Sequence, residues 1–121
     1  MEKKIVEQKE ALETLIEFND RLVKNKNIII KELSGARMDD TDAFFKGIID
    51  AMNWEIAVMN GTFSLLNDGE ERVHKEEFNE KIIAFGKAIE SKDDSKMADA
   101  IKQLIPEFEN LGEVARLVTR K

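Results

Sequence analysis

His74 is the only histidine in the chain, and it stands three residues after a carboxylate in Glu71-Arg72-Val73-His74. On a helix that spacing stacks the two side chains one turn apart. Carboxylate-bridged di-metal bundles use two such units, with a further glutamate from each of two other helices. One histidine cannot complete that site within a monomer, and Glu71 falls beside a helix start, so a solvated first turn is the plainer account. Acid–base catalysis would instead need carboxylates held in a dry cleft with displaced pKa values. Asp50 and Glu55 flank Trp54 in the most apolar stretch of the chain. No partner constellation accompanies them, so both are expected to snorkel to water or pair with lysines. Cysteine is absent, which removes thiol catalysis, cysteine–zinc sites and disulfides. Glycine-rich phosphate loops, Ser/His/Asp sets and Walker patterns are absent too. The expectation is a protein that is not an enzyme and holds no cofactor or metal.

Charge points the same way. The 121 residues carry 19 Lys and Arg against 25 Asp and Glu, a formal charge of −6. Such a balance lacks the electrostatic footprint of a nucleic-acid binder and suits anionic membranes poorly. Lys24, Lys26, Lys31 and Arg37 make a mild basic concentration, read as a solvated face. Arg116, Arg120 and Lys121 complement the dipole at the end of the last helix.

The segment from Thr41 to Asn67 must position anything functional, because it alone carries two apolar stripes. Phe45, Ile48, Ile49, Met52, Ile56, Met59, Phe63 and Leu66 follow three-four spacing and form the main, core-facing stripe. Nearly opposite lie Gly47, Trp54, Val58, Gly61 and Leu65. Gly47, Trp54 and Gly61 are seven residues apart in each step and stack along one line, with glycines leaving room for another helix. Two readings stay open: this back stripe docks a protein partner or a second copy of the chain, or the first or last helix wraps over it as ordinary core. Met38, Met52, Met59 and Met97 could adapt a groove, although filling core gaps is the commoner use.

The remaining elements follow from periodicity. Glu2 to Leu33 reads as one helix with a heptad-like seam from Ile5 to Leu33, in which Asn19 and Lys26 are polar members; a break at Asn25 or Asn27 is the alternative. Ser34-Gly35 stops it, and Asp39, Asp40 or Thr41 caps the next helix, which runs to Asn67. Asn67-Asp68-Gly69 ends that one, and Glu70, Glu71, Glu76 and Glu77 crowd the start of a third helix with Phe78, Ile82, Phe85 and Ile89 as its stripe. A cap in Lys92-Asp93-Asp94-Ser95 opens a fourth helix to about Thr119, kinked by Pro106 and weakened at Gly112, where a break is the alternative. The expected fold is all-α: an up-and-down antiparallel four-helix bundle with a long first helix, in one domain over residues 1–121. No apolar run suggests a signal peptide or a span of about 20 residues for a membrane, so a cytoplasmic location is expected.

Ala88-Ile89-Glu90-Ser91-Lys92-Asp93 followed by Met97-Ala98 resembles the helical hairpin of small bacterial export chaperones, including flagellin-type chaperones. Met97-Ala98-Asp99-Ala100-Ile101 leading to Leu104-Ile105-Pro106 looks like a family of small bacterial all-helical proteins of unknown function. The resemblance implies an all-α fold and no catalytic residue. The leading functional expectation is a non-enzymatic helical interaction protein, an adaptor or export chaperone that seats a partner's amphipathic helix in an apolar groove. The rivals are a purely structural homodimer and a small-molecule-binding bundle with a pocket near Trp54, Asp50 and Phe85. A buried, unpaired carboxylate in a concave site would favour the small-molecule binder.

Overall fold

The heptad-spaced seam produces one uninterrupted helix, α1 (Glu2–Leu33). The computed structural model describes residues 2–120, and α1 passes through Asn25 and Asn27 without a break. Leu22 and Ile29 are buried on either side of them, and that burial outweighs the small helix-propensity cost of asparagine. Ile5 remains exposed, and Leu12 is the first fully buried apolar residue of the seam. The helix stops before Gly35, whose φ of 122° lies where a Cβ is disfavoured.

Four more helices follow: α2 (Thr41–Gly61), α3 (Phe63–Leu66), α4 (Lys75–Ser91) and α5 (Asp94–Thr119). Among the described residues there is no strand. The second helix is shorter than its periodicity implies. It ends at Gly61, where Thr62 turns its hydroxyl back to the Val58 carbonyl at 2.7 Å, a bond that competes with helix continuation. Phe63 to Leu66 then form a separate turn of helix. Leu66 is buried, whereas Phe63 only packs partly against the core. The helix bearing Phe78 begins at Lys75, five residues after Glu70, so Glu70 and Glu71 lie in the preceding loop.

Caps are also placed differently from expectation. Asp40 occupies the N-cap position of α2 without a side-chain hydrogen bond. Thr41 instead accepts from the Met38 N–H at 2.8 Å and donates to Glu32 Oε1 at 2.7 Å, closing the α1–α2 turn. Asp93 caps α5 as its sequence suggests, accepting from the Ser95 and Lys96 N–H groups. α5 continues through both Pro106 and Gly112.

Residue pairs fix how the helices run. Asn19 of α1 abuts Gly112 of α5, while Lys26 lies on Phe108, so α1 and α5 are antiparallel. Glu32 meets Thr41, and Phe18 meets Trp54, so α1 and α2 are antiparallel too. The tight Lys92–Asp93 connection folds α4 back along α5, with Phe78 on Phe108 at 5.1 Å between ring centroids. Phe45 of α2 reaches Phe85 of α4 at 6.0 Å. No helix among the described residues is long and apolar enough to cross a membrane.

An apolar groove between two helices as candidate functional site

Beyond Thr41, the buried positions on α2 are 45, 48, 52, 55 and 59, alternating three and four. Four are apolar and the other is Glu55. On α1 the seam runs through Asn19, Leu22, Lys26, Ile29 and Leu33, all buried. Helical period therefore puts the acid Glu55 and the base Lys26 inside the core, on neighbouring helices. Glu55 is 1% exposed, and neither of its carboxylate oxygens has a hydrogen-bond partner. Lys26 is 0% exposed; its Nζ has no hydrogen-bond partner and lies 3.0 Å from the centroid of the Phe108 ring. Burial pushes the Lys26 ammonium down to about 7, partly offset by Glu55, and pushes the Glu55 carboxyl up to about 7, partly offset by Lys26. Desolvation dominates both groups.

Above Glu55 the surface opens. Phe18, Leu22 and Asn25 of α1 and Ala51 and Trp54 of α2 enclose a groove of about 470 Å3 that Glu55 also lines. Trp54 and Phe18 meet edge to face, with centroids 6.0 Å apart and planes at 79°. Each ring is held by the other yet remains partly in water, Trp54 at 41% and Phe18 at 45% exposure. Arg21 closes one rim, its guanidinium 5.9 Å from the Phe18 centroid. A second hollow of about 310 Å3 shares Leu22, Asn25 and Ala51 with the first and extends past Phe44 and Gly47.

The predicted back stripe is only partly assembled. Trp54 and Gly47 border these hollows, whereas Val58, Gly61 and Leu65 do not. Val58 and Leu65 are half-buried against the core. Leu65 belongs to α3, beyond the break at Thr62, so the line on α2 ends before it. A Cβ at Gly47 or Gly61 would meet nothing within 4 Å, so none of the described residues uses the room those glycines leave. Nor are Trp54, Asp50 and Phe85 brought together: Asp50 is exposed, and Phe85 is buried against Phe45.

Other candidates resolve into structural roles. Glu71 and His74 lie 2.9 Å apart in the exposed loop before α4, where the Glu71 carboxylate raises the imidazole pKa. Among the described residues no three His, Asp or Glu side chains are placed to hold a metal. Glu55 does not snorkel, contrary to expectation, and Lys26 does not belong to a solvated face; both are interior. Arg37 is exposed and grips Asp94 with two hydrogen bonds and Asp42 with a third. Arg116 pairs with Asp20 on α1, and Lys121 lies outside the described residues. Met52, Met59 and Met97 are buried core residues and Met38 is exposed, so none lines the groove.

Phe18 and Arg21 escaped the sequence reading because they flank the seam of α1. The available signal was the set Phe18, Leu22 and Asn25, spaced four and three, a second line beside the heptad. For Glu55 the signal was its place between Met52 and Met59 on the core stripe.

The site is thus an apolar concavity with aromatic walls, bordered by Glu55, whose carboxyl oxygens are buried and unpaired. It can accept a hydrogen bond or a positive charge, and it can cover an apolar body. A family model described as a domain of unknown function (DUF8042) matches residues 10–114, which include every residue of the groove. No curated protein matches the chain, and no solved structure does.

Proposed function

We propose that this chain, which belongs to the DUF8042 family of domains of unknown function, is a non-enzymatic binding protein that works through the groove between α1 and α2. The observation that carries this reading is the Glu55 carboxyl, buried and unpartnered, on the border of an apolar hollow. Folding alone gains nothing from that arrangement. An unsatisfied buried acceptor costs about 1–3 kcal/mol, more when charged. The groove is within the size range of small-molecule sites, and a few polar groups among apolar walls is their usual composition. The reading takes the four long helices as an up-and-down bundle with a bend at Pro106, so that the α1–α2 seam is a rigid-walled cleft.

Trp54 is the only tryptophan and borders the groove, so it reports occupancy directly. Titration with the neutral apolar fluorophore N-phenyl-1-naphthylamine should give energy transfer from Trp54. Ala51→Phe, which fills the groove from α2, should abolish it. Transfer that is absent, or that survives Ala51→Phe, would count against the groove.

The second hollow favours a further reading, that of an interaction protein of the adaptor or export-chaperone kind. The two hollows adjoin along the α1–α2 seam, an arrangement suited to an amphipathic segment of a protein partner. A partner of that kind would be displaced by Gly47→Trp as well as by Ala51→Phe, whereas a ligand confined to the Trp54 end would respond only to the latter.

A further inference from the structure

We infer that the groove binds a protonated amine carried on an apolar body, with the ammonium on the Glu55 carboxylate and the body between Phe18 and Trp54. This rests on the groove being the binding site and adds the chemistry of the occupant.

The Glu55 border of the groove selects for a donor. Both Glu55 oxygens are buried and accept no hydrogen bond. An ammonium donates to a carboxylate in a short, charge-assisted bond roughly twice as strong as a neutral one. A quaternary ammonium has no N–H to give, and an anion would face the carboxylate itself. The walls select for carbon: Phe18, Leu22, Ala51 and Trp54 supply most of the lining, and aromatic faces also attract a cation. Arg21 opposes weakly, since its guanidinium sits at the exposed rim over Phe18.

Lys26 already competes for this acid and does so badly. It is the one charge that acts on Glu55 among the described residues, no hydrogen bond joins the two, and its Nζ sits on the Phe108 ring of α5 instead. Near neutral pH the two groups share one proton, either as carboxylate with ammonium or as carboxylic acid with amine. A ligand ammonium needs Glu55 ionised, and one buried carboxylate does not compensate two ammonium groups in a dry site. The shared proton therefore leaves to solvent as the ligand enters.

Three probes separate this inference from the groove itself: dansylcadaverine, its N-acetylated neutral form, and N-phenyl-1-naphthylamine. The expected result at pH 7 is at least about tenfold tighter binding of the amine than of the acetylated form, equivalent to 1.4 kcal/mol. Calorimetry in phosphate and in Tris should show release of about one proton for the amine and none for the acetylated form. Glu55→Gln, isosteric and checked for unchanged circular dichroism, should erase the preference while leaving N-phenyl-1-naphthylamine binding intact. Should that variant fail to fold, the proton count on the wild type stands as the test. Equal binding of amine and acetylated amine, or no proton release, overturns the amine inference while the naphthylamine result upholds the groove. Failure of all three probes overturns both.

Discussion

The Lys26 ammonium nitrogen of α1 lies 3.0 Å from the centroid of the Phe108 ring of α5, in the interior. A desolvated cation over an aromatic face gains about 2 kcal/mol or more. Stripping an ammonium of water costs several kcal/mol, so the ring offsets only part of it. Glu55 approaches from α2 and adds attraction without a hydrogen bond. The pair is thus a local loss of stability, held in place by the apolar seams of α1 and α2. Replacing both members with carbon, as Lys26→Met with Glu55→Met, should raise unfolding stability by about 1–4 kcal/mol, as for other buried ion pairs exchanged for packed apolar residues. Urea unfolding measures it. A double variant less stable than the wild type would mean that the pair supports the core.

The same pair should write itself into the pH dependence. Glu55 has its pKa raised from 4.5 to about 7, so the folded state holds the extra proton and stability falls as pH rises from about 4.5 to 7. Lys26 has its pKa lowered from 10.5 to about 7, so the unfolded state holds the extra proton and stability rises from about pH 7 towards 10.5. The two slopes meet in a trough near neutrality, each no steeper than about 1.4 kcal/mol per pH unit. Urea midpoints for the wild type and the Lys26→Met, Glu55→Met variant, compared between pH 5 and 9, isolate the pair. A tight ion pair would give the opposite curve, a maximum at neutral pH.

Much of the fold was readable because seam residues repeat with helical period over long stretches. Leu12, Leu15, Leu22 and Ile29 on α1, and Ile101, Leu104, Phe108 and Leu111 on α5, are all interior. Helix ends were less readable, since periodicity continues past them: Phe63 and Leu66 keep the spacing of α2 although Thr62 has already turned the chain. The site was half legible. Trp54 drew notice through its apolar surroundings, but those surroundings lie on another helix, at Phe18 and Leu22. Which flank of α1 meets which flank of α2 depends on helix rotation, and single-helix patterns do not specify it. Glu55 was misplaced because a charged residue at a core position is rare enough that residue type overrode spacing.

Gly112 is a further case of meaning supplied by the neighbouring helix. Its low helix propensity is a liability within α5, yet a Cβ there would run into Asn19 Nδ2 and lie 3.0 Å from its Cγ. Asn19 is 2% exposed, and its side chain must shift before that Cβ fits. Gly112→Ala should destabilise by about 1–3 kcal/mol, the usual cost of overpacking. In an Asn19→Ala background the same change should instead stabilise, by up to about 1 kcal/mol from helix propensity alone. A double-mutant cycle by thermal or urea unfolding reads the sign reversal. Identical effects in both backgrounds would show that the two residues do not constrain each other.

Asn67 should prove the most sensitive polar residue of the loop between α3 and α4. Its Oδ1 accepts from the Arg72 and Val73 N–H groups at 3.0 and 2.8 Å, and its Nδ2 donates to the Val73 carbonyl at 3.1 Å. Val73 is 1% exposed, so its backbone has no water to turn to. The loop is tied to α5 through Asn110, which donates to the Arg72 carbonyl at 3.0 Å. Removing the Asn67 amide strands a buried donor, at about 1–3 kcal/mol for the unsatisfied group alone. Asn67→Ala should therefore cost about 2–3 kcal/mol. Asn67→Asp keeps both acceptor contacts and loses only the donation to Val73, so it should cost less. Hydrogen exchange at the Val73 amide gives a local readout: protected in the wild type and in Asn67→Asp, fast in Asn67→Ala. Protection that persists in the alanine variant would mean that Val73 is held by packing and Asn67 is dispensable.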